Sequence, residues 1–346
     1  MAIAIAMHSL DTQIMKIRII NILVFLLLAA TGAARDVASF CDGWEFKKGP
    51  FPADAMKGAG KWNSNWEAVT IPHTWNATDM QKKASSFYAG EAYYRKRFTP
   101  DPDLKGKRVF LRFEGVGSCA EVYINGYLAG THKGAYSAFV CEIGPQLKFG
   151  EENELIVKAD NSERPDVIPV NHILFGVYGG IYRPVWLVAT DPCAIVVNDC
   201  ASPGVFITQK NVTSKSADVA VKVKVGNSLK SPASMRLENA VYDMDGRLVK
   251  TDRQDFTLTP QSNQSIISSF RISRPHLWQG REDPYLYKVV STLYRDGKKV
   301  DEVVQPLGLR RYEIVAGDGF YLNGKKYPMY GVTRHQDWWG LGSALT

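Results

Sequence analysis

The stretch Ala120-Glu-Val-Tyr-Ile-Asn-Gly126 decides how this chain is read. Apolar and polar side chains alternate from Ala120 to Ile124, the period of a half-buried β-strand. Asn125-Gly126 follows at once. That pair favours a two-residue hairpin, because both turn positions need positive φ. The same pattern extends outward. Tyr93 to Phe98 (YYRKRF) and Arg108 to Phe113 (RVFLRF) alternate large apolar with charged residues. Leu155 to Ala159 (LIVKA) is a further strand, and Ile181 to Val188 (IYRPVWLV) another. Pro184 marks the last as an edge strand, since proline cannot donate to a ladder. No sustained 3.6-residue apolar period runs between Trp44 and Ala189, so residues 35–190 are expected to form an antiparallel sandwich.

A second β unit is expected over 191–312. Ala217 to Val225 (ADVAVKVKV) is a period-2 strand with its valines on one face. Ala240–Asp243 and Arg247–Lys250 flank Met244-Asp245-Gly246 as a hairpin. Tyr285–Tyr294 and Val300–Val304 pair across Arg295-Asp-Gly-Lys298. Several short strands of this kind suit an immunoglobulin-like sandwich, without the Cys…Trp…Cys hallmark of antibody domains. Residues 313–346 open with a hairpin over Gly319–Lys326, turning at Asn323-Gly324. The apolar strand Tyr327–Val332 follows and runs into Thr333-Arg-His-Gln-Asp337 and Trp338-Trp339.

The first 34 residues stand apart. Lys16 and Arg18 precede IINILVFLLLAA (Ile19–Ala30), then the small residues Thr31 to Ala34. This is a secretory leader pattern, with cleavage expected after Ala33 or Ala34; the alternative is an uncleaved anchor. Met15 is a candidate start. The chain is therefore expected to be exported, periplasmic or extracellular, and free of the membrane once cleaved. Export permits disulfides. Among Cys41, Cys119, Cys141, Cys193 and Cys200, the pair Cys193–Cys200 is close enough to bridge a loop. Asn76-Ala-Thr78, Asn211-Val-Thr213 and Asn263-Gln-Ser265 are glycosylation sequons.

Composition narrows the function classes. Lys and Arg exceed Asp and Glu by 7, but they are scattered without a stripe, which excludes nucleic acid as the expected partner. No Cys-x-x-Cys or Cys/His cluster has zinc spacing, and no dinucleotide or phosphate-loop fingerprint occurs, so neither metal nor cofactor is expected. At 346 residues, two sandwiches leave too little chain for a complete TIM barrel of ~250 residues.

Two groups of residues could carry chemistry. Arg334, His335 and Asp337 cluster where an apolar strand ends, the position at which barrel folds build sites. A solvated loop is the alternative. His73, Trp75, His132, Tyr136, Tyr178 and Tyr182 are polar-tipped aromatics that suit a sugar surface or a sandwich core equally well. Glycoside hydrolysis needs two carboxylates. Glu91, Glu114 and Glu121 lie in strand-like contexts, and spacing pairs none of them.

Several motifs, in order, resemble glycoside hydrolase family 2. They are Val69-Thr-Ile-Pro-His-Thr-Trp-Asn76, Tyr88-Ala-Gly-Glu-Ala-Tyr-Tyr-Arg95, Phe113-Glu-Gly-Val116, Ala120–Gly126, Gly134-Ala-Tyr-Ser-Ala-Phe139 and Gly179-Gly-Ile-Tyr-Arg-Pro-Val-Trp186. Pro275-His-Leu-Trp278, Pro284-Tyr-Leu-Tyr287, Gly308-Leu-Arg-Arg-Tyr312, Phe320–Lys325 and Gly331-Val-Thr-Arg-His-Gln-Asp337 continue the match. The resemblance implies a mostly β chain with a jelly-roll, galactose-binding-like domain over 35–190 and an immunoglobulin-like β-sandwich over 191–312. Residues 313–346 would then begin an incomplete TIM barrel. It implies a retaining exo-β-glycosidase, nearest the β-galactosidase branch, with carbohydrate as partner and His335, Arg334 and Asp337 as substrate-binding residues. Thr333 stands where many members have Asn. Between Val167 and Thr190 no acidic residue precedes the Gly-Ile-Tyr-Arg motif, where such enzymes often place an Asp; Asn171 and His172 are the nearest polar groups. The family's two catalytic glutamates lie downstream on barrel strands, so no catalytic residue is expected in this chain and it is expected to be inactive alone. A non-catalytic carbohydrate-binding protein, or a truncated gene product, are the alternatives.

Overall fold

The computed structural model describes residues 35–51, 65–79, 87–168, 170 and 176–345. The expected leader, 1–34, and the pair Asn171 and His172 lie outside the described residues. No helix among the described residues is long and apolar enough to cross a membrane.

The strands predicted around Ala120 pair as two antiparallel sheets. The larger runs in the order Glu67–Val69, Trp44–Lys48, Glu91–Phe98, Asn153–Asp160, Cys119–Ile124, Tyr127–Lys133. The smaller runs Arg35–Ser39, Val185–Thr190, Arg108–Phe113, Phe139–Glu142. Alternation turns Val122, Ile124, Leu155 and Val157 inward, where they meet Val109, Leu111, Phe113 and Val185 of the facing sheet. Each such side chain contributes about 1.5–3 kcal/mol on burial. Asn125 and Gly126 both adopt positive φ, 51° and 82°, as a two-residue hairpin requires.

Pro184 does not mark an edge. The strand begins one residue later, at Val185, and lies between Arg35–Ser39 and Arg108–Phe113. No ladder bond is asked of the missing N–H, while the Pro184 carbonyl accepts from Glu114 N–H at 3.1 Å.

The second unit is also a pair of sheets. Ser216–Asn227 is the centre of one, pairing along its whole length with Ser262–Ser273 and, on its other side, with Val205–Lys210 and Cys193–Ile195. Its valines Val219, Val221, Val223 and Val225 face the core. The other sheet orders Leu248–Leu258, Ala233–Tyr242, Tyr287–Arg295, Lys298–Leu307. Asp296 and Gly297 turn the last pair with φ of 49° and 77°. Phe110, Val188 and Val197 form an apolar contact between the two units. All five cysteines are free thiols. Cys193 is buried and donates to Asn227 Oδ1, while Cys200 is exposed, so the bridge suggested by their spacing is not formed.

Beyond Leu307 the chain forms a small sheet of Tyr312–Val315, Gly319–Leu322 and Lys325–Lys326. Asn323 and Gly324 make its sharp turn. The Asn323 carboxamide also donates to the Trp278 carbonyl and to Gln279 Oε1, both at 3.0 Å, fastening the hairpin to the second sandwich. Of the expected strand Tyr327–Val332 only Tyr327 extends a ladder, its N–H donating to the Phe320 carbonyl at 2.9 Å; no strand forms beyond it, and Val332 is 95% exposed. A parallel barrel strand takes its ladder from neighbouring strands, so alone it stays an open segment.

Candidate functional site

The site is built on the loop Val177–Tyr182, which lacks a ladder of its own. Side chains supply the missing hydrogen bonds. Asn161 donates to the Val177 carbonyl at 2.8 Å and to Asn76 Oδ1 at 3.2 Å. Gly179 N–H donates to the same Asn76 oxygen at 2.8 Å, and Thr74 Oγ1 donates to the Gly179 carbonyl at 2.7 Å. Asn76 Nδ2 donates to Asp79 at 2.8 Å and to the Tyr88 carbonyl at 2.9 Å. Gly180 exchanges two backbone bonds with Gly117. Asn76 and Asn161 are fully buried, so this network holds the loop without competition from water. Glycine is required at 179, where a Cβ would lie 1.9 Å from the Trp75 ring.

From this loop Tyr178 reaches the far end of the chain. Its hydroxyl donates to Asp337 Oδ2 at 2.8 Å. Burial, and then the Asp337 carboxylate, push the phenol well above its ordinary pKa. Tyr182 is buried and donates to the Ala135 carbonyl, anchoring the loop that carries exposed Tyr136. Opposite stands a strap, Thr333–Asp337, with Arg334 and His335 exposed and Asp337 half-buried. It ends in a closed turn. Trp338 N–H donates to the Gly342 carbonyl at 3.0 Å, and Gly342 N–H returns to the Trp338 carbonyl at 2.8 Å.

Between loop and strap lies a cleft of about 370 Å³ lined by Tyr136, Tyr178, Tyr182, Arg334, His335 and Asp337. The three predicted strap residues and three of the six predicted aromatics thus share one space. The other three do not. Trp75 packs in the core, and His132 stacks on Phe139 with ring centres 4.3 Å apart. His73 Nδ1 lies 2.8 Å from the Tyr94 hydroxyl, and burial lowers its pKa to about 4. The glutamates are also elsewhere. Glu91 and Glu121 flank Lys158 at 2.6 and 3.4 Å, and Glu114 pairs with Arg112 at 2.8 Å. Asp337 is the one carboxylate among the described residues lining the cleft. Among the described residues no group of His, Cys, Asp and Glu is placed to hold a metal ion.

Sequence reasoning read Asn76 as a glycosylation acceptor and did not find the polar network. A buried asparagine has the same local signature as an exposed one.

Comparison with known proteins places the chain. Residues 44–191 match the sugar binding domain of glycosyl hydrolases family 2, and residues 203–310 match a second domain described as glycosyl hydrolases family 2. Over 278 residues the chain is 41% identical to a β-glucuronidase of Bacteroides fragilis, an alignment covering 80% of this chain and 39% of that protein. A crystal structure from Bacteroides fragilis, provisionally named a β-galactosidase, superposes with a TM-score of 0.86 at 65% identity. It covers 90% of this chain and 46% of that one. Bacteroides uniformis β-glucuronidase 2, covalently bound to cyclophellitol-6-carboxylate aziridine, superposes with a TM-score of 0.85 at 33% identity, covering 90% and 37%. The chain spans less than half the length of each of these relatives.

Proposed function

Because the chain belongs to glycosyl hydrolase family 2, we propose that its cleft forms part of the sugar subsite of a retaining exo-β-glycosidase of the β-galactosidase type. The observation that carries this reading is the convergence of Arg334, His335 and Asp337 with Tyr136, Tyr178 and Tyr182 on one cleft. The chemistry suits a pyranose. Tyrosine rings accept the C–H face of a sugar, and imidazole, guanidinium and carboxylate serve its hydroxyls from both sides of the hydrogen bond. Asp337 has acceptor capacity beyond its bond to Tyr178, since a carboxylate offers about four lone-pair sites.

Retaining hydrolysis needs two carboxyl groups ~5–5.5 Å apart. The cleft has one among its described lining residues, and that one accepts the Tyr178 hydroxyl. The 346-residue chain by itself is therefore proposed to bind sugar without turning it over. A β-glucuronide is the second reading. The exposed Arg334 guanidinium matches a carboxylate bidentately, and two of the relatives carry the β-glucuronidase name. The leader pattern before Arg35 supports export as a further part of this proposal.

Calorimetric titration of the chain with galactose and with glucuronate, alongside aryl β-galactoside and β-glucuronide turnover assays, tests the reading. Saturable binding that His335→Ala abolishes, with no turnover, is expected. Binding indifferent to His335, or turnover by the pure chain, overturns it.

A further inference from the structure

The strap grips Tyr178 at two points. Its Asp337 carboxylate accepts the phenol hydroxyl at 2.8 Å. Its Gly342, with φ of +54°, lies so close to the ring that a Cβ would sit 2.7 Å from Cε1 and 2.9 Å from the Thr74 methyl. These two contacts are the ends of one turn, closed by the reciprocal Trp338–Gly342 hydrogen bonds. The phenol therefore meets the stretch 337–342 near both of its ends. On the other side, the backbone beside Tyr178 is over-determined. Gly179 has both its N–H and its carbonyl bound by buried side chains, and Gly180 is bridged to Gly117. Across the described part of the strap, by contrast, Thr333 to Gln336 are exposed and carry no strand pairing.

We propose that Tyr178 is the positioning residue of this cleft, the pin from the first sandwich that sets where His335 and Arg334 stand. The proposal rests on the sugar-subsite reading for its consequence, but its geometry is independent of the ligand. A flexible strap loses freedom when it closes on a sugar, and a pinned one has lost it beforehand. The hydroxyl acts through Asp337, while the ring remains one of the tyrosine faces of the cleft. Removing its hydroxyl keeps the ring on which Gly342 packs, so Tyr178→Phe retains the apolar half of the grip.

Hydrogen–deuterium exchange on the full chain tests this. A hydrogen bond to a charged acceptor is of a size that speeds local opening about 10- to 100-fold when lost. Tyr178→Phe is expected to accelerate exchange of the Trp338, Leu341 and Gly342 amides by that factor, while amides of Ser216–Asn227 stay as they were. Asp337→Ala should do the same, and the double variant no more than either, because both remove one bond. Apparent affinity for the sugar that the parent chain binds should fall in Tyr178→Phe. Unchanged exchange of the three amides, or additive effects in the double variant, overturns the proposal. A parent chain that binds neither galactose nor glucuronate defeats the subsite reading and leaves the exchange result to decide the pin.

Discussion

Asp301 holds the guanidinium of Arg35 with both carboxylate oxygens, 3.0 Å from Nε and 2.7 Å from Nη2, across 266 residues of sequence. Asp301 is fully buried, and backbone N–H groups of Ile195 and Glu302 complete its shell at 2.8 Å each. Arg35 opens the first strand of one sandwich, and Asp301 lies in the last strand of the other. The ion pair is therefore a clamp between the two.

Breaking the clamp from one side leaves an uncompensated buried charge, which costs about 3–5 kcal/mol. Arg35→Ala is expected at the lower end, because the two backbone donors still serve Asp301. Replacing both residues with apolar side chains removes the buried charge but strands the Ile195 and Glu302 N–H groups, so it should recover only part of the loss. Urea denaturation of the three variants checks this, and a double variant as unstable as the single one would refute the account.

Expressed in a glycosylating host, the chain should carry glycan at Asn211 and Asn263, both exposed, and none at Asn76, which is fully buried with its oxygen and nitrogen both bonded. Peptide mass spectrometry reads this directly. Asn76→Ala should cost about 1–3 kcal/mol by stranding the Gly179 N–H.

His73 makes stability depend on pH. Its pKa is about 4 in the fold against 6.5 for a free histidine, because burial disfavours the charged ring. Between those values the unfolded chain binds more protons than the folded one. Stability from this group is thus complete above pH 6.5 and lost as pH falls towards 4. The loss amounts to about 3 kcal/mol. His73→Phe keeps a ring against Phe46, 4.8 Å from the native one, and should flatten that part of the stability curve. An identical slope in the variant would exclude His73 as the cause.

Gly179→Ala should be strongly destabilising. Its Cβ would overlap the Trp75 ring, and Trp75 is buried with no room to withdraw. Overpacking of this kind costs about 1–3 kcal/mol or more. Gly331→Ala is the control. Nothing lies within 4 Å of its Cβ and its φ is not left-handed, so it should stay within about 0.5 kcal/mol of the parent. Thermal unfolding of both variants separates the two expectations.

What could be read ahead of the structure was local. Positive φ at Asn125-Gly126, Asp296-Gly297 and Asn323-Gly324 is a requirement of the turn itself, so dipeptide chemistry announces it. Alternation in Ala217–Val225 likewise marks a face. Pro184 misled because the rule against proline applies within a ladder, and here the ladder starts one residue later. Tyr327–Val332 has strand composition, but pairing is supplied by other segments. The cluster Arg334, His335 and Asp337 was visible as titratable groups after an apolar run. Its partner Tyr178, 159 residues distant from Asp337, was visible only as one aromatic among six. Nor does any short motif tell a buried Asn76 from an exposed one.

The hairpin turn at Asn323 has a mechanical consequence. The same side chain that suits the bend also fastens it to Trp278 and Gln279, so a substitution that keeps the bend, such as glycine, still releases the fastening. The segment leaving that hairpin is supported at its start by the second sandwich and at its end, through Asp337, by the first. It is a beam resting on two supports rather than a cantilever. The contacts that bracket His335 in the chain therefore come from both sandwiches, which the Arg35–Asp301 pair also ties together.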